Sequence, residues 1–382
     1  MIALAAPVAP RGIPTLDGMR GIAVAWVLLF HYTALRSGMG DPWVQAIEAS
    51  TLGNAIARSG YLGVDLFFLL SGFLLALPWL EGNALHAREF YARRLRRIVP
   101  AYYVHLAVLF ALFVPLLRGI EYWRSDFYVV AWNGIAHALF LHNTSPLTSG
   151  SLAVNGALWT LAVEAQFYLL LPLLAPIAAR RPLASTLVAT FIAGAWQWGA
   201  RHDLQWLVAW QMSVGSHWGW PEGVLRHLLL TQLPSYIAHF ALGALLASLW
   251  LRQARAGPAR GAFTLAFAAI TLLLATILGR GLLPGQHAWI ATTLSLGTLL
   301  FAASIARGSL AASALARGPL AFAGRVSYSA YLWQVPLLLA FNIVAPALNA
   351  GLVLPLYLAA LAAVSWLSWR FIELRFWKPS PR

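Results

Sequence analysis

Thr15-Leu16-Asp17-Gly18-Met19-Arg20-Gly21-Ile22-Ala23-Val24-Ala25-Trp26-Val27-Leu28-Leu29-Phe30-His31-Tyr32 is the stretch that decides how the chain is read. It is an apolar run with an arginine near its start and a histidine near its far end. On a helix, Arg20 and His31 fall within about 20° of the same face, separated by ~16 Å of rise. A fixed cation and a titratable imidazole therefore share one stripe of an otherwise apolar helix. Ionisable groups at membrane depth are costly to keep, which marks both as functional candidates.

The rest of the chain fits that setting. Its 382 residues are 60% hydrophobic and 10% charged, with a mean hydropathy of +0.71. This excludes an ordinary soluble domain and predicts an all-α polytopic membrane protein. The absence of cysteine excludes a cysteine acyl-enzyme, thiolate metal ligation and disulfides together. No metal site is expected. The net charge of +14 is carried by loops between apolar spans, so it reads as a topology signal, not a nucleic-acid surface.

A bundle of about ten transmembrane helices is predicted, at roughly 20–36, 61–80, 99–117, 157–178, 183–199, 235–251, 262–279, 287–305, 326–345 and 351–371. Residues 1–19 and 372–382 are expected to form short cytosolic tails around a single bundle domain, 20–371, with no appended soluble domain expected. The segment 127–141 carries Asn133, Gly134 and His137 and is short for a span. Charge decides its reading. If it does not cross, most of the 26 basic residues lie on the side of the N-terminus; if it crosses, the majority moves to the other side. The positive-inside rule selects the first arrangement, with both termini cytosolic and 127–141 interfacial. Trp206, Trp210, Trp218 and Trp220 then occupy the largest outer loop, as an interfacial belt or a sugar-stacking surface.

Five further stretches carry chemistry. Gly63-Val64-Asp65-Leu66-Phe67-Phe68, followed by Ser71-Gly72-Phe73, opens the second span. It puts Asp65 in the same outer half as His31, and Gly72 suits a close helix crossing. Arg93, Arg94, Arg96 and Arg97 crowd a helix start on the side where Arg20 lies. A positive-inside signal or anionic lipid explains part of that cluster; the phosphates of a nucleotide-type ligand explain it too. Trp159-Thr160-Leu161 with Glu164, Phe167 and Tyr168 begins the fourth span, where Glu164 and Tyr168 share a face and the carboxylate needs a partner. His31 is the expected one. Ser327-Tyr328-Ser329-Ala330-Tyr331-Leu332-Trp333 and Phe371-Ile372-Glu373 lie near the end.

Taken in this order over essentially the whole chain, these motifs resemble the acyltransferase-3 type of integral membrane acyltransferases, which O-acylate bacterial surface glycans and related molecules. The resemblance implies acyl-CoA, by default acetyl-CoA, as co-substrate with no permanently bound cofactor. It implies the hydroxyl of an extracytoplasmic glycan or glycolipid as acceptor, and a bacterial inner membrane location. Arg20, Arg93, Arg94 and Arg97 would hold the CoA phosphates, with Ser71, Trp159, Tyr168 and Tyr331 lining the substrate path. His31 would be the general base, oriented by Glu164 or Asp65. Tyr168, Ser71 or Trp159 would serve the oxyanion. A covalent acyl-histidine is a second version of the mechanism. Two residues depart from the family pattern: Gln334, where relatives often carry histidine, and Arg375, where proline is usual. A transporter or flippase is the alternative reading. It calls for inverted repeats with interrupted helices, and the sequence carries no such repeat.

Overall fold

The computed structural model describes residues 13–83, 86–119, 127–145, 148, 155–202, 209, 221–256, 261–279, 285–306, 308–344 and 348–376. The aromatic loop residues Trp206, Trp210, Trp218 and Trp220 lie outside them. The described chain is helical without strands. In order, α1 is Thr15–Arg36, α2 Pro42–Ala49, α3 Thr51–Arg58, α4 Leu62–Leu80 and α5 Ala87–Val108, which continues through a π turn at Leu109–Phe113. Then come α6 Phe127–Ala138, α7 Trp159–Arg180, α8 Pro182–His202, α9 Glu222–Leu230, α10 Leu233–Ala256 and α11 Ala262–Leu278. The chain closes with α12 Gly285–Ile305, α13 Leu310–Ala316, α14 Gly318–Arg325, α15 Ser327–Val344 and α16 Ala350–Ser368.

Among the described residues, seven helical stretches are long and apolar enough to cross a membrane, which makes this a multi-pass membrane protein. Helix α11, at 17 residues, is apolar but shorter. Helix α15 falls outside the seven, being interrupted by Ser327, Ser329, Gln334 and Asn342. Helix α6, at 12 residues, rises only about 18 Å, well under the ~30 Å hydrocarbon core.

Two close crossings set the bundle. In the first, α4 packs against α10 through Gly72 and Gly243, where an added Cβ would overlap the backbone oxygens of Phe240 and Leu69 respectively. With lipid as apolar as leucine, such small-residue contacts hold helices by van der Waals approach. In the second, the first turns of α1 lie on α13 and α14, with Gly21 against the backbone of Leu320 and Gly324 against that of Asp17. Helix α1 therefore begins ahead of Arg20 and carries that side chain within the packed structure.

Helices α1 and α15 run side by side in the same direction. His31 meets Gln334, and further along Arg36 donates to Asn342 at 3.2 Å while Asn342 donates to the Leu35 carbonyl at 3.2 Å. A buried ion pair, Arg36 to Asp41 at 3.0 Å, also takes the Tyr32 hydroxyl at 2.6 Å, so no charge there is left unpaired. Prolines add docking points. Pro336 and Pro355 have no N–H to donate, which releases the carbonyls four residues earlier. The Leu332 carbonyl accepts from Asn155 Nδ2 at 3.0 Å and the Gly351 carbonyl from Trp43 Nε1 at 2.9 Å.

Candidate functional site

Helices α1, α4, α5, α7 and α15 converge on a cavity of about 90 Å³ lined by Arg20, Ser71, Arg97, Thr160, Glu164 and Tyr331. Five of these six belong to the residues predicted from sequence. Each reaches the cavity for a local reason. Arg20 is held by Asp17 one turn earlier, at 3.8 Å. Tyr331 donates to the Ala157 carbonyl at 2.9 Å and accepts from Thr160 Oγ1 at 2.7 Å, so α15 is pinned to the start of α7. Tyr328, also on the wall, donates to the Ile98 carbonyl at 3.0 Å and ties α15 to α5 beside Arg97.

Glu164 is the carboxylate on this wall. It accepts from Ser71 Oγ at 3.0 Å and from the Tyr168 hydroxyl. The Arg94 guanidinium lies behind it, 5.8 Å from the Phe90 ring centroid and 5.9 Å from that of Tyr168, a cation–π arrangement strengthened by exclusion of water. Two guanidiniums on the wall and a third behind Tyr168 stand against Glu164 on the wall and Asp17 beside Arg20, so arginines outnumber these carboxylates. That balance suits a multiply charged anion. Arg93 takes no part: one turn before Arg97 on α5, it is exposed and paired with Glu89 at 2.5 Å.

His31 lies beyond this cavity. Its Nδ1 is 3.2 Å from Gln334 Oε1, and Phe30 packs edge-on at 5.2 Å. An amide oxygen only accepts, so the tautomer that makes this bond carries its proton on Nδ1 and leaves Nε2 with its lone pair. Gln334 is one turn after Tyr331, so the cavity wall ends about 4.5 Å of helix rise short of the pair. The Gln334 Nε2 atom is buried and has no partner among the described residues.

These contacts correct the expected pairing of His31. Glu164 is engaged by Ser71 and Tyr168, and Asp65 lies 3.7 Å from His239 Nε2; neither carboxylate meets the ring. Gln334, seen in the sequence only as a departure, holds it. The reason is packing: α4 turns Asp65 toward α10 and α7 turns Glu164 toward α4, while Gln334 of α15 faces α1. The hydroxyls of Ser71 and Tyr168 are likewise spent on Glu164, so neither is left to serve an oxyanion. Trp159 points away from the cavity and packs on Tyr236 at 5.3 Å between centroids. Thr160 and Tyr328 were within the quoted motifs, yet their role depends on which side of the helix faces inward. Among the described residues no cluster of histidine and acidic groups is arranged to hold a metal.

A family model described as an acyltransferase domain matches residues 13–370. Among curated relatives, the O-acetyltransferase OatA of Staphylococcus aureus (strain NCTC 8325 / PS 47) is 27% identical over 356 residues, covering 87% of this chain and 52% of the relative. The peptidoglycan O-acetyltransferase OatA of Listeria monocytogenes serovar 1/2a is 33% identical over 175 residues, 42% of this chain and 24% of the relative. The putative peptidoglycan O-acetyltransferase YrhL of Bacillus subtilis (strain 168) is 33% identical over 174 residues, 43% of this chain and 24% of the relative. The chain thus spans about half, or less, of the length of these relatives. No solved structure matches it.

Proposed function

The chain belongs to the acyltransferase family, and from that premise we propose that it transfers an acyl group, by default acetyl, from cytosolic acyl-CoA to a hydroxyl of an extracytoplasmic glycan. The membrane is the bacterial inner membrane, crossed about ten times with both termini in the cytosol. One arrangement supports the reading: a cavity with Arg20 and Arg97 on its wall is bounded by Tyr331, one helical turn before the Gln334 that meets the imidazole of His31.

In this scheme Arg20 and Arg97, backed by Arg94, hold the CoA phosphates through charge-assisted hydrogen bonds. Glu164 spaces the guanidiniums while the site is empty. The pantetheine arm is of the same order as the ~16 Å rise from Arg20 to His31, so the thioester reaches the ring. His31 Nε2 takes the proton of the acceptor hydroxyl as its oxygen attacks the thioester carbonyl. Collapse of the tetrahedral adduct breaks the C–S bond, and the imidazolium returns the proton to the leaving sulfur. Gln334 is the positioning residue: its Oε1 fixes the tautomer, a role that carboxylates fill in other acyl-transfer sites. A neutral amide does this without placing a second charge in the bilayer. Gln334 Nε2 is the donor left over for the developing oxyanion.

The test is reconstitution of the chain in sealed vesicles with isotopically labelled acetyl-CoA on the Arg20 side and a soluble glycan acceptor on the other. Labelled ester on the glycan, detected by mass spectrometry, is the expected result. Glycan carried across unmodified, with no dependence on acetyl-CoA, would overturn the proposal in favour of transport.

A further inference from the structure

A second polar cavity, of about 410 Å³, neighbours the first, between the starts of α4, α10 and α12 and the end of α8; Phe68 on the wall of the arginine cavity packs on Tyr236 of this one with centroids 5.0 Å apart. Its volume lies in the range of small-molecule sites, about 300–1,000 Å³. Three aromatic side chains, Tyr61, Tyr236 and Trp289, line it together with Asp65, Gln197 and Arg201. We infer that this cavity binds a neutral saccharide unit, the sugar that presents the acceptor hydroxyl to His31. The inference deepens the acyl-transfer reading above and rests on it for the word acceptor.

Three observations carry it. First, the polar groups here are under-used. Among the described residues Arg201 reaches only its own helix, with the carbonyl and side-chain oxygen of Gln197 both at 3.4 Å, at the weak end of hydrogen bonding. The Trp289 indole N–H is buried without a partner among the same residues. The Asp65 carboxylate has among them only the 3.7 Å approach of His239, whose Nε2 also faces Thr293 Oγ1 at 3.2 Å. Buried donors and acceptors left in this state cost free energy unless a ligand or water completes them. Second, one carboxylate and one guanidinium face the space, so it carries no net charge; a phosphate or carboxylate ligand meets as much repulsion as attraction. A polyol, with donors and acceptors on every carbon and apolar C–H faces for the rings, meets both kinds of wall. Third, a chain of aromatic rings joins the cavity to the base. Tyr61 lies on its wall and packs against Phe30 with centroids 6.1 Å apart, and Phe30 packs on His31 at 5.2 Å.

The experiment uses the full chain in lipid nanodiscs, with N,N′,N″-triacetylchitotriose as the probe in saturation-transfer NMR and acetyl-CoA binding measured on the same sample. Wild type is expected to give transfer from protein to sugar. Trp289→Phe, Arg201→Gln and the isosteric Asp65→Asn should each weaken trisaccharide binding about tenfold, the worth of one buried hydrogen bond. Acetyl-CoA affinity should stay within about twofold, and melting temperature is the fold check. Absence of a wild-type signal, or wild-type affinity retained in the variants that fold as wild type, overturns the assignment. The two readings fail separately. Sugar binding that is lost in the variants, in a protein that neither binds nor consumes acetyl-CoA, sustains this cavity and sinks the acyl-transfer reading.

Discussion

Two neighbouring cavities of one bundle use the same kinds of side chain in different proportion. In one, Arg20 and Arg97, with Arg94 behind Tyr168, face Glu164 on the wall; in the other, Arg201 and Asp65 line a space among three aromatic rings. The first is small, about 90 Å³, and unbalanced in charge; the second is about 410 Å³ and balanced. Charge imbalance in a low-dielectric wall selects anions and gives salt-dependent binding, whereas balance with aromatic faces selects neutral amphipathic ligands. On the proposed reading, the difference lets one membrane domain receive two chemically unlike substrates. The Phe68–Tyr236 contact, with centroids 5.0 Å apart, stands between the two cavities.

Substitutions that act on one cavity and spare the other sharpen this comparison. The largest effect is expected at the imidazole. His31→Ala should lower transfer by at least about a hundredfold, the scale of general-base catalysis, while binding of acetyl-CoA and of the trisaccharide persists; turnover near the wild-type rate would remove His31 from the mechanism. Arg97→Gln should weaken acetyl-CoA binding about ten- to a hundredfold through loss of a charge-assisted hydrogen bond and flatten its salt dependence. Trisaccharide affinity should not move. An equal loss of both ligands would show that the two cavities are not separate sites. Gln334→Leu should reduce kcat about tenfold, the worth of one hydrogen bond to the ring, with both KM values unchanged. A change in KM alone would make Gln334 a wall residue and not the holder of the imidazole.

The smallest and least selective effect belongs to the shared frame. Gly72→Ala forces a methyl against the Phe240 carbonyl where α4 crosses α10, at a cost of about 1–3 kcal/mol. The melting temperature should fall by several degrees, and affinity at both cavities should drop together. Selective loss at one cavity would show that the crossing belongs to it rather than to the shared scaffold.

What could be read ahead of the structure divides along a physical line. Composition and apolar run length determined that the chain is helical and membrane-embedded, since a run of that length in lipid must satisfy its backbone internally. The motif order brought Arg20, Ser71, Arg97, Glu164 and Tyr331 into view, and these five share a wall. Arg93 shares a helix face with Arg97, yet one turn nearer the start of α5 it stands exposed and paired with Glu89, a difference of position along the helix that adjacent arginines in a sequence do not reveal. The second cavity was not legible. Asp65 comes from α4, Gln197 and Arg201 from α8, Tyr236 from α10 and Trp289 from α12, and no local spacing joins them.

The sequence by itself determined the class of protein, the depth of the ionisable residues along each helix and the chemistry each side chain can offer, because these follow from residue type and a fixed rise per residue. Only the tertiary structure decided which partner each group meets. His31 and Gln334 stand 303 positions apart, and their contact exists because α15 lies along α1, anchored by Arg36 and Asn342. Which face of a helix turns inward is set by packing against every neighbour at once, and that sum is not written in any single stretch of the chain.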